Sequence, residues 1–189
     1  METIHVESID RDFIRAVEKE SGQYVSHCYQ CGNCTAGCPL NFVYDIPVHQ
    51  IMRLLQVGQK EKVLRSHAIW LCATCETCTT RCPREIDVAR IMDILRIMAR
   101  RARTVSEEGI QAFYDSFLDS VKNHGRLYEI GVIMKYNLHT KRPFTDAELG
   151  PKLLGKGKIH IFPKNIKGVG AVKEIFERFA KLKRGIHEG

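Results

Sequence analysis

Two stretches decide how this chain is read: Cys28-Tyr-Gln-Cys31-Gly-Asn-Cys34-Thr-Ala-Gly-Cys38-Pro39 and Cys72-Ala-Thr-Cys75-Glu-Thr-Cys78-Thr-Thr-Arg-Cys82-Pro83. Both read C-x2-C-x2-C-x3-C-P, and together they hold all eight cysteines of the chain. Three thiolates with two residues between them lie on one short loop that wraps three iron corners of a cubane. Backbone N–H groups of such a loop point at the sulfides and stabilise the negative cluster. Gly32, Ala36 and Gly37 let the backbone come close. The fourth cysteine begins the next segment, and proline fixes the chain direction after it.

This run is the one used by two-cluster ferredoxins, in which the fourth cysteine ligates the other cluster. The expected sites are therefore one [4Fe–4S] cluster on Cys28, Cys31, Cys34 and Cys82 and a second on Cys72, Cys75, Cys78 and Cys38. Exchange of the fourth ligands ties the two halves together and keeps the clusters close enough for electron exchange. Structural zinc needs neither a third cysteine at this spacing nor the terminal Cys-Pro. Disulfides need an oxidising compartment, and Met1-Glu2-Thr3-Ile4-His5 lacks the basic and apolar regions of a signal peptide. The expected location is the cytoplasm. With eight cysteines consumed, no thiol remains as a nucleophile, so no catalytic residue is expected and reduction at sulfur falls to another chain.

Working outward, Val48-His-Gln-Ile51-Met52-Arg-Leu54-Leu55 aligns with Val88-Ala-Arg-Ile91-Met92-Asp-Ile94-Leu95. Each half reads as cysteine loop, proline, helix, with four extra residues in the first connection. Pro47 opens the first of these helices and Gly58 ends it. Asp87 is the N-cap of the second, whose late Arg96, Arg100, Arg101 and Arg103 suit the helix dipole. Ile9, Phe13, Ile14 and Val17 have helical spacing, and a short helix is expected over Glu61–Arg65. Trp70 reads as packing against the second cluster or the helix core, with a role in electron transfer as the alternative. His27 reads as a solvent-facing neighbour of Cys28 or, alternatively, as a residue tuning the first cluster. Signals for β-hairpins are absent, and an all-α fold follows.

Beyond residue 103, Thr104-x-x-Glu107 fits a capping box. Ile110, Phe113, Tyr114, Phe117, Leu118 and Val121 form one stripe, followed by Gly125. Ile130, Ile133, Met134 and Leu138 suggest another helix. Lys141–Gly170, with Pro143, Pro151 and Pro163, reads as an extended basic connector before a helix over Ala171–Leu182. That helix either docks on a partner or packs back on its own domain. The expected domains are 1–103, carrying the clusters, and 104–189, a helical extension for docking. Gly150-Pro-Lys-Leu-Leu-Gly155-Lys156-Gly157 nearly matches a P-loop but lacks its Ser/Thr and a preceding strand. Gly168-Val-Gly170 is too short for a dinucleotide fingerprint.

The chain has 189 residues, 44% apolar and 27% charged, an ordinary globular composition with no apolar run long enough for a membrane span. Its 29 Lys+Arg against 22 Asp+Glu give +7. Two clusters of about −2 each would lower this to about +3, so the basic excess partly offsets cluster charge. No basic–aromatic interleaving points to nucleic acid.

On these motifs, with the length and the softer segments Asn123-His-Gly125-Arg126 and Pro151–Lys158, the chain resembles the C subunit of heterodisulfide reductase, a methanogen enzyme. The two cysteine motifs are shared with the related helical domain of the iron–sulfur subunits of succinate and fumarate dehydrogenases. The resemblance implies a helical ferredoxin-like domain with two [4Fe–4S] clusters and an electron-relay role without catalysis on this chain. It implies two partners. One is the flavin-bearing A subunit. The other is the catalytic B subunit, whose Cys-Cys-Gly motifs reduce the mixed disulfide of coenzymes M and B. A hydrogenase or formate dehydrogenase module commonly feeds such complexes. The rival readings are the relay subunit of a quinone-linked dehydrogenase, a free ferredoxin and a cluster-bearing nucleic-acid binder.

Overall fold

The computed structural model describes residues 9–142, 145, 155, 156 and 162–187, with the last six through their backbone alone. The near-P-loop at 150–157, the segment 151–158, Pro143 and most of the connector lie largely outside these residues. Among the described residues the protein is helical, with no strand. It forms two compact units, one ending at Glu107 and the other beginning at Glu108.

In the first unit, α1 (Arg11–Ser21) starts where Asp10 accepts a hydrogen bond from the Phe13 N–H at 2.8 Å and ends at Gly22, in the left-handed conformation. The single turn α2 (Asn33–Ala36) carries Cys34, and α3 (Val48–Gln56) follows with Pro47 at its N-cap. The short α4 (Lys60–Leu64) and α5 (Ala68–Leu71) lead to the second motif, where α6 (Thr77–Thr80) is the counterpart of α2. The long α7 (Val88–Arg101) is capped by Asp87, whose carboxylate accepts the Arg90 N–H at 3.0 Å.

The repeated apolar faces of α3 and α7 make the core. Ile51, Met52, Leu55, Ile91, Met92 and Leu95 are all buried, joined by Val17 of α1, Val63 of α4 and Trp70 of α5. Burying side chains of this size contributes roughly 1.5–3 kcal/mol each. Polar ties fix α1 against α7: Arg101 pairs with Glu20 at 2.8 Å and Arg90 donates to the Ser21 carbonyl at 2.7 Å. Gly58 brings the chain back under α1, accepting the Asp10 N–H at 3.2 Å.

Two local expectations are corrected. Thr104 and Glu107 do not form a capping box: the Thr104 N–H and hydroxyl both go back to the Ala99 carbonyl, and Glu107 pairs with His67 at 2.6 Å. They finish the first unit rather than start the next helix. Arg96 is no dipole cation at a free helix end. Its side chain is largely covered and donates to the carbonyls of Ile69 and Cys72 at 2.8 and 2.7 Å.

The second unit contains α8 (Glu108–His124), α9 (Glu129–His139) and α10 (Val169–His187). The sequence stripe on α8 is only partly covered: Ile110, Phe113 and Tyr114 face Val132 and Tyr136 of α9, and Ile110, Tyr114, Phe117 and Val121 are half-buried. Phe113 and Leu118 are exposed, while Ser116 and Ser120 are buried. Ser120 earns its burial by joining two elements, accepting the Tyr128 N–H at 2.7 Å and donating to the Arg126 carbonyl at 3.3 Å. On α9, Val132 is buried while Ile133, Met134 and Leu138 are exposed. The final helix runs longer than Ala171–Leu182, and its Ile175 and Phe179 face solvent. No helix of the described residues is long and apolar enough to cross a membrane.

Candidate iron–sulfur sites

The two cysteine loops fold alike. In the first, Gln30 and Gly32 take φ values of +64° and +81°; in the second, Thr74 and Glu76, at the matching positions, take +51° and +59°. Alternation of left- and right-handed residues turns successive N–H groups toward one side and makes a concave nest for an anion. Only one of these four residues is glycine. The other three hold a conformation that costs side-chain-bearing residues on the order of 1–3 kcal/mol, Thr74 with the added stiffness of a β-branched residue.

The loops are held from behind by equivalent bonds. Gln56, the residue after Leu55 in the repeat, donates to the carbonyls of Val25 and Cys28 at 3.1 and 2.7 Å. Arg96, its counterpart in α7, makes the matching pair to Ile69 and Cys72. The Thr35 hydroxyl oxygen accepts the His49 N–H at 2.9 Å, and that of Thr79 accepts the Ala89 N–H at 3.1 Å. Each cysteine loop is therefore anchored to the helix that follows it by a reach to its first cysteine and a clasp beside its third.

Two cavities result. One is lined by Cys28, Cys31, Cys34 and Cys82. The other is lined by Cys38, Cys72, Cys75 and Cys78. Their apolar walls are exchanged in the same sense: Met52 of α3 and Val88 of α7 face the first, Met92 of α7 and Val48 of α3 the second. Four thiols, an apolar wall and an N–H nest suit a compact, negatively charged, thiolate-ligated cofactor, and the donor set is that of a [4Fe–4S] cluster. Cys31 and Cys75 are exposed, so one ligand of each group faces solvent.

The thiols differ in ionisation. Burial pushes the Cys78 thiol up to about 11, reinforced by the nearby Cys72, and burial likewise raises Cys34. The Thr77 hydroxyl beside Cys75, at 3.4 Å, lowers that thiol. Tyr44 lines the second cavity together with Cys38 and Cys72; burial and those two thiols hold its phenol far above the ordinary range. At the first cavity Gln30 donates to Cys28 Sγ at 3.3 Å, and the neighbouring Cys31 thiol helps raise the exposed Tyr29 phenol.

Sequence reasoning did not single out Tyr44, Gln30, His49, Gln56 or the paired threonines. The aligned repeat offered a signal for Gln56 and Arg96 by their shared register. Nothing in the sequence marked Tyr44, which comes from the unmatched connection. His27 lies against Tyr24, ring centroids 5.3 Å apart, and does not line the first cavity; Trp70 is a core residue and lines neither.

Comparison with known proteins defines the class first. Residues 24–86 match the 4Fe-4S dicluster domain, so the chain carries an iron–sulfur domain of that kind. Among whole proteins it is similar to the C subunits of heterodisulfide reductases from methanogens. It is 34% identical over 95 residues to the C subunit of the H(2):CoB-CoM heterodisulfide,ferredoxin reductase of Methanothermobacter thermautotrophicus, covering 50% of this chain and 51% of the relative. It is 34% identical over 106 residues to the iron-sulfur C subunit of the CoB--CoM heterodisulfide reductase of Methanopyrus kandleri, covering 52% and 55%. It is 40% identical over 82 residues to the C2 subunit of the H(2)/formate:CoB-CoM heterodisulfide,ferredoxin reductase of Methanococcus maripaludis, covering 43% and 44%. The matched region spans about half the length of these curated relatives.

Proposed function

We propose that this chain is the electron-relay subunit of a cytoplasmic heterodisulfide reductase complex. It would bind one [4Fe–4S] cluster through Cys28, Cys31, Cys34 and Cys82 and a second through Cys72, Cys75, Cys78 and Cys38. It would pass electrons from a flavin-bearing subunit to a catalytic Cys-Cys-Gly subunit that reduces the heterodisulfide of coenzymes M and B. A hydrogenase or formate dehydrogenase module would supply the electrons. The observation that carries this reading is the grouping of the eight thiols: each cavity has three cysteines of one motif and the last cysteine of the other. The similarity to the iron–sulfur C subunits supports the complex and its substrate.

The clusters, when bound, supply one-electron transfer. The work of this chain is to hold the sulfurs, keep water from the apolar side of each cavity with Met52 and Met92, and set the local field with N–H and O–H donors. The second unit, from Glu108 rather than Thr104 onward, would serve as the docking extension, offering exposed apolar side chains such as Leu138 and Phe179. No step of acid–base or group-transfer chemistry is assigned to the chain.

Cys82→Ser tests the ligand grouping. The expected outcome is loss or conversion of the cluster on Cys28, Cys31 and Cys34, with the other intact, read by iron content and EPR after anaerobic purification. Loss of only the cluster on Cys72, Cys75 and Cys78 would sink the crossed grouping. Anaerobic affinity purification of the tagged chain tests the complex: a flavoprotein and a Cys-Cys-Gly protein should come with it, and recovery alone would refute the relay role.

A further inference from the structure

The two cavities have equivalent thiols but unequal donors. At the second, the half-buried Tyr44 lines the cavity beside Cys38 and Cys72, sulfurs contributed by different motifs, and the Thr77 hydroxyl lies 3.4 Å from Cys75. Behind Cys72 stands the Arg96 guanidinium, 2.7 Å from its carbonyl and mostly covered, but paired with the Asp93 carboxylate at 3.3 Å so that it brings little net charge. At the first, the counterpart of Arg96 is the neutral Gln56. There the Gln30 amide donates to Cys28 and the exposed Tyr29 stands beside Cys31, while Thr35 beside Cys34 is matched by Thr79 beside Cys78 at the second site. Arg84 acts on Tyr29 from the surface, where water and salt screen it.

Reduction adds one electron to a cluster and no proton, so the charge of cluster plus thiolates goes from about −2 to about −3. A hydrogen bond to a ligand sulfur, or a covered cation behind it, stabilises the more negative form and raises the potential. We infer that Tyr44 is a potential-setting residue that, by donating to a sulfur of the Cys38–Cys72–Cys75–Cys78 site, makes it the higher-potential cluster, Gln30 tuning the other site more weakly. Electrons then settle at the second cluster, and the relay has a built-in direction. This inference rests on the cluster assignment proposed above.

The test is a redox titration of the full-length chain, purified anaerobically with its clusters and followed by EPR. Tyr44→Phe keeps the ring against Leu40 and Val48 and removes only the hydroxyl. The higher midpoint should fall, so that the ratio of reduced to oxidised cluster at the wild-type midpoint drops roughly two- to tenfold, the size of one net hydrogen bond. The lower midpoint should stay. Gln30→Met should lower the other midpoint instead. If Tyr44→Phe fails to retain both clusters, 3-fluorotyrosine at position 44, which keeps the ring and donates more strongly, should raise the higher midpoint. Unchanged midpoints with both clusters present, or both variants moving the same one, would overturn the inference. Fewer than two clusters in the unmodified chain would instead refute the cluster assignment itself.

Discussion

Arg96→Leu probes how the second cysteine loop is held. Arg96 makes two hydrogen bonds to carbonyls, to Ile69 at 2.8 Å and Cys72 at 2.7 Å, and an ion pair with Asp93 at 3.3 Å. Bonds from a charged donor are worth about 1.5–3 kcal/mol each, and the pair with the half-exposed Asp93 adds little. Leucine keeps much of the packing. Water can replace the bond at half-buried Cys72 but not easily the one at fully buried Ile69. The net loss should be about 3 kcal/mol, a fall of roughly 10–20 °C in Tm for a unit of this size. Gln56→Leu, removing two neutral bonds of about 1 kcal/mol each, should cost about two-thirds as much. The local signature matters more than the magnitude. Arg96→Leu should deplete the cluster on Cys72, and Gln56→Leu the one on Cys28. Arg96→Lys should fall between, since one ammonium cannot serve both carbonyls as a planar fork does. Matched thermal scans at one rate, iron analysis and EPR of anaerobic preparations read both effects. An Arg96→Leu chain with both clusters and an unshifted melt would refute the argument that these bonds hold the loop.

Two further outcomes follow from the same geometry. At Gly58, φ is +62° and an added Cβ would lie 2.7 Å from the Asp10 backbone nitrogen, so Gly58→Ala should cost about 2–4 kcal/mol; a melt within a few tenths of a kcal/mol of the parent would contradict this. In the cluster-free chain, Cys75 is exposed and its thiol lowered while Cys78 is pushed up to about 11, so iodoacetamide at pH 7 should label Cys75 first. Raising the pH should speed Cys78 about tenfold per unit and Cys75 by less as its thiolate saturates; mass spectrometry showing equal rates and slopes would contradict the assignment.

The cysteine arithmetic and the two aligned helices made the first unit legible because ligand spacing and apolar period are local properties. Asp87 and Gly22 punctuate their helices as their local chemistry dictates. What escaped reading depends on contacts between distant residues. Arg96 resembles any late-helix cation until α5 and the second motif are brought beneath it. Thr104 and Glu107 have the capping-box spacing, yet Ala99 and His67 claim them first. The left-handed positions Gln30, Thr74 and Glu76 carry no glycine to announce them. The α8 stripe misled in part because an apolar period reports a face, not whether this chain covers it.

The four extra residues between Cys38 and Val48 explain why a duplicated sequence need not make duplicate sites. That connection supplies two adjacent side chains that both act on the entry to the second motif. Asp45 accepts the N–H groups of His67 and Ala68, each at 2.9 Å, and so holds the start of α5. Tyr44, next to it, lines the second cavity together with Cys72 at the end of the same helix. The shorter connection from Cys82 to Val88 has no equivalent pair. Its Asp87 caps its own helix and its Ile86 presents an apolar wall to the first cavity. Equal ligand sets fix the kind of cofactor that fits each cavity, and the unmatched loop makes their surroundings differ. In the proposed relay, an electron donor and an electron acceptor would impose opposite demands on two clusters in one small unit. An insertion that places Tyr44 at one cavity, while leaving all eight thiols in register, would meet both demands without changing a thiol.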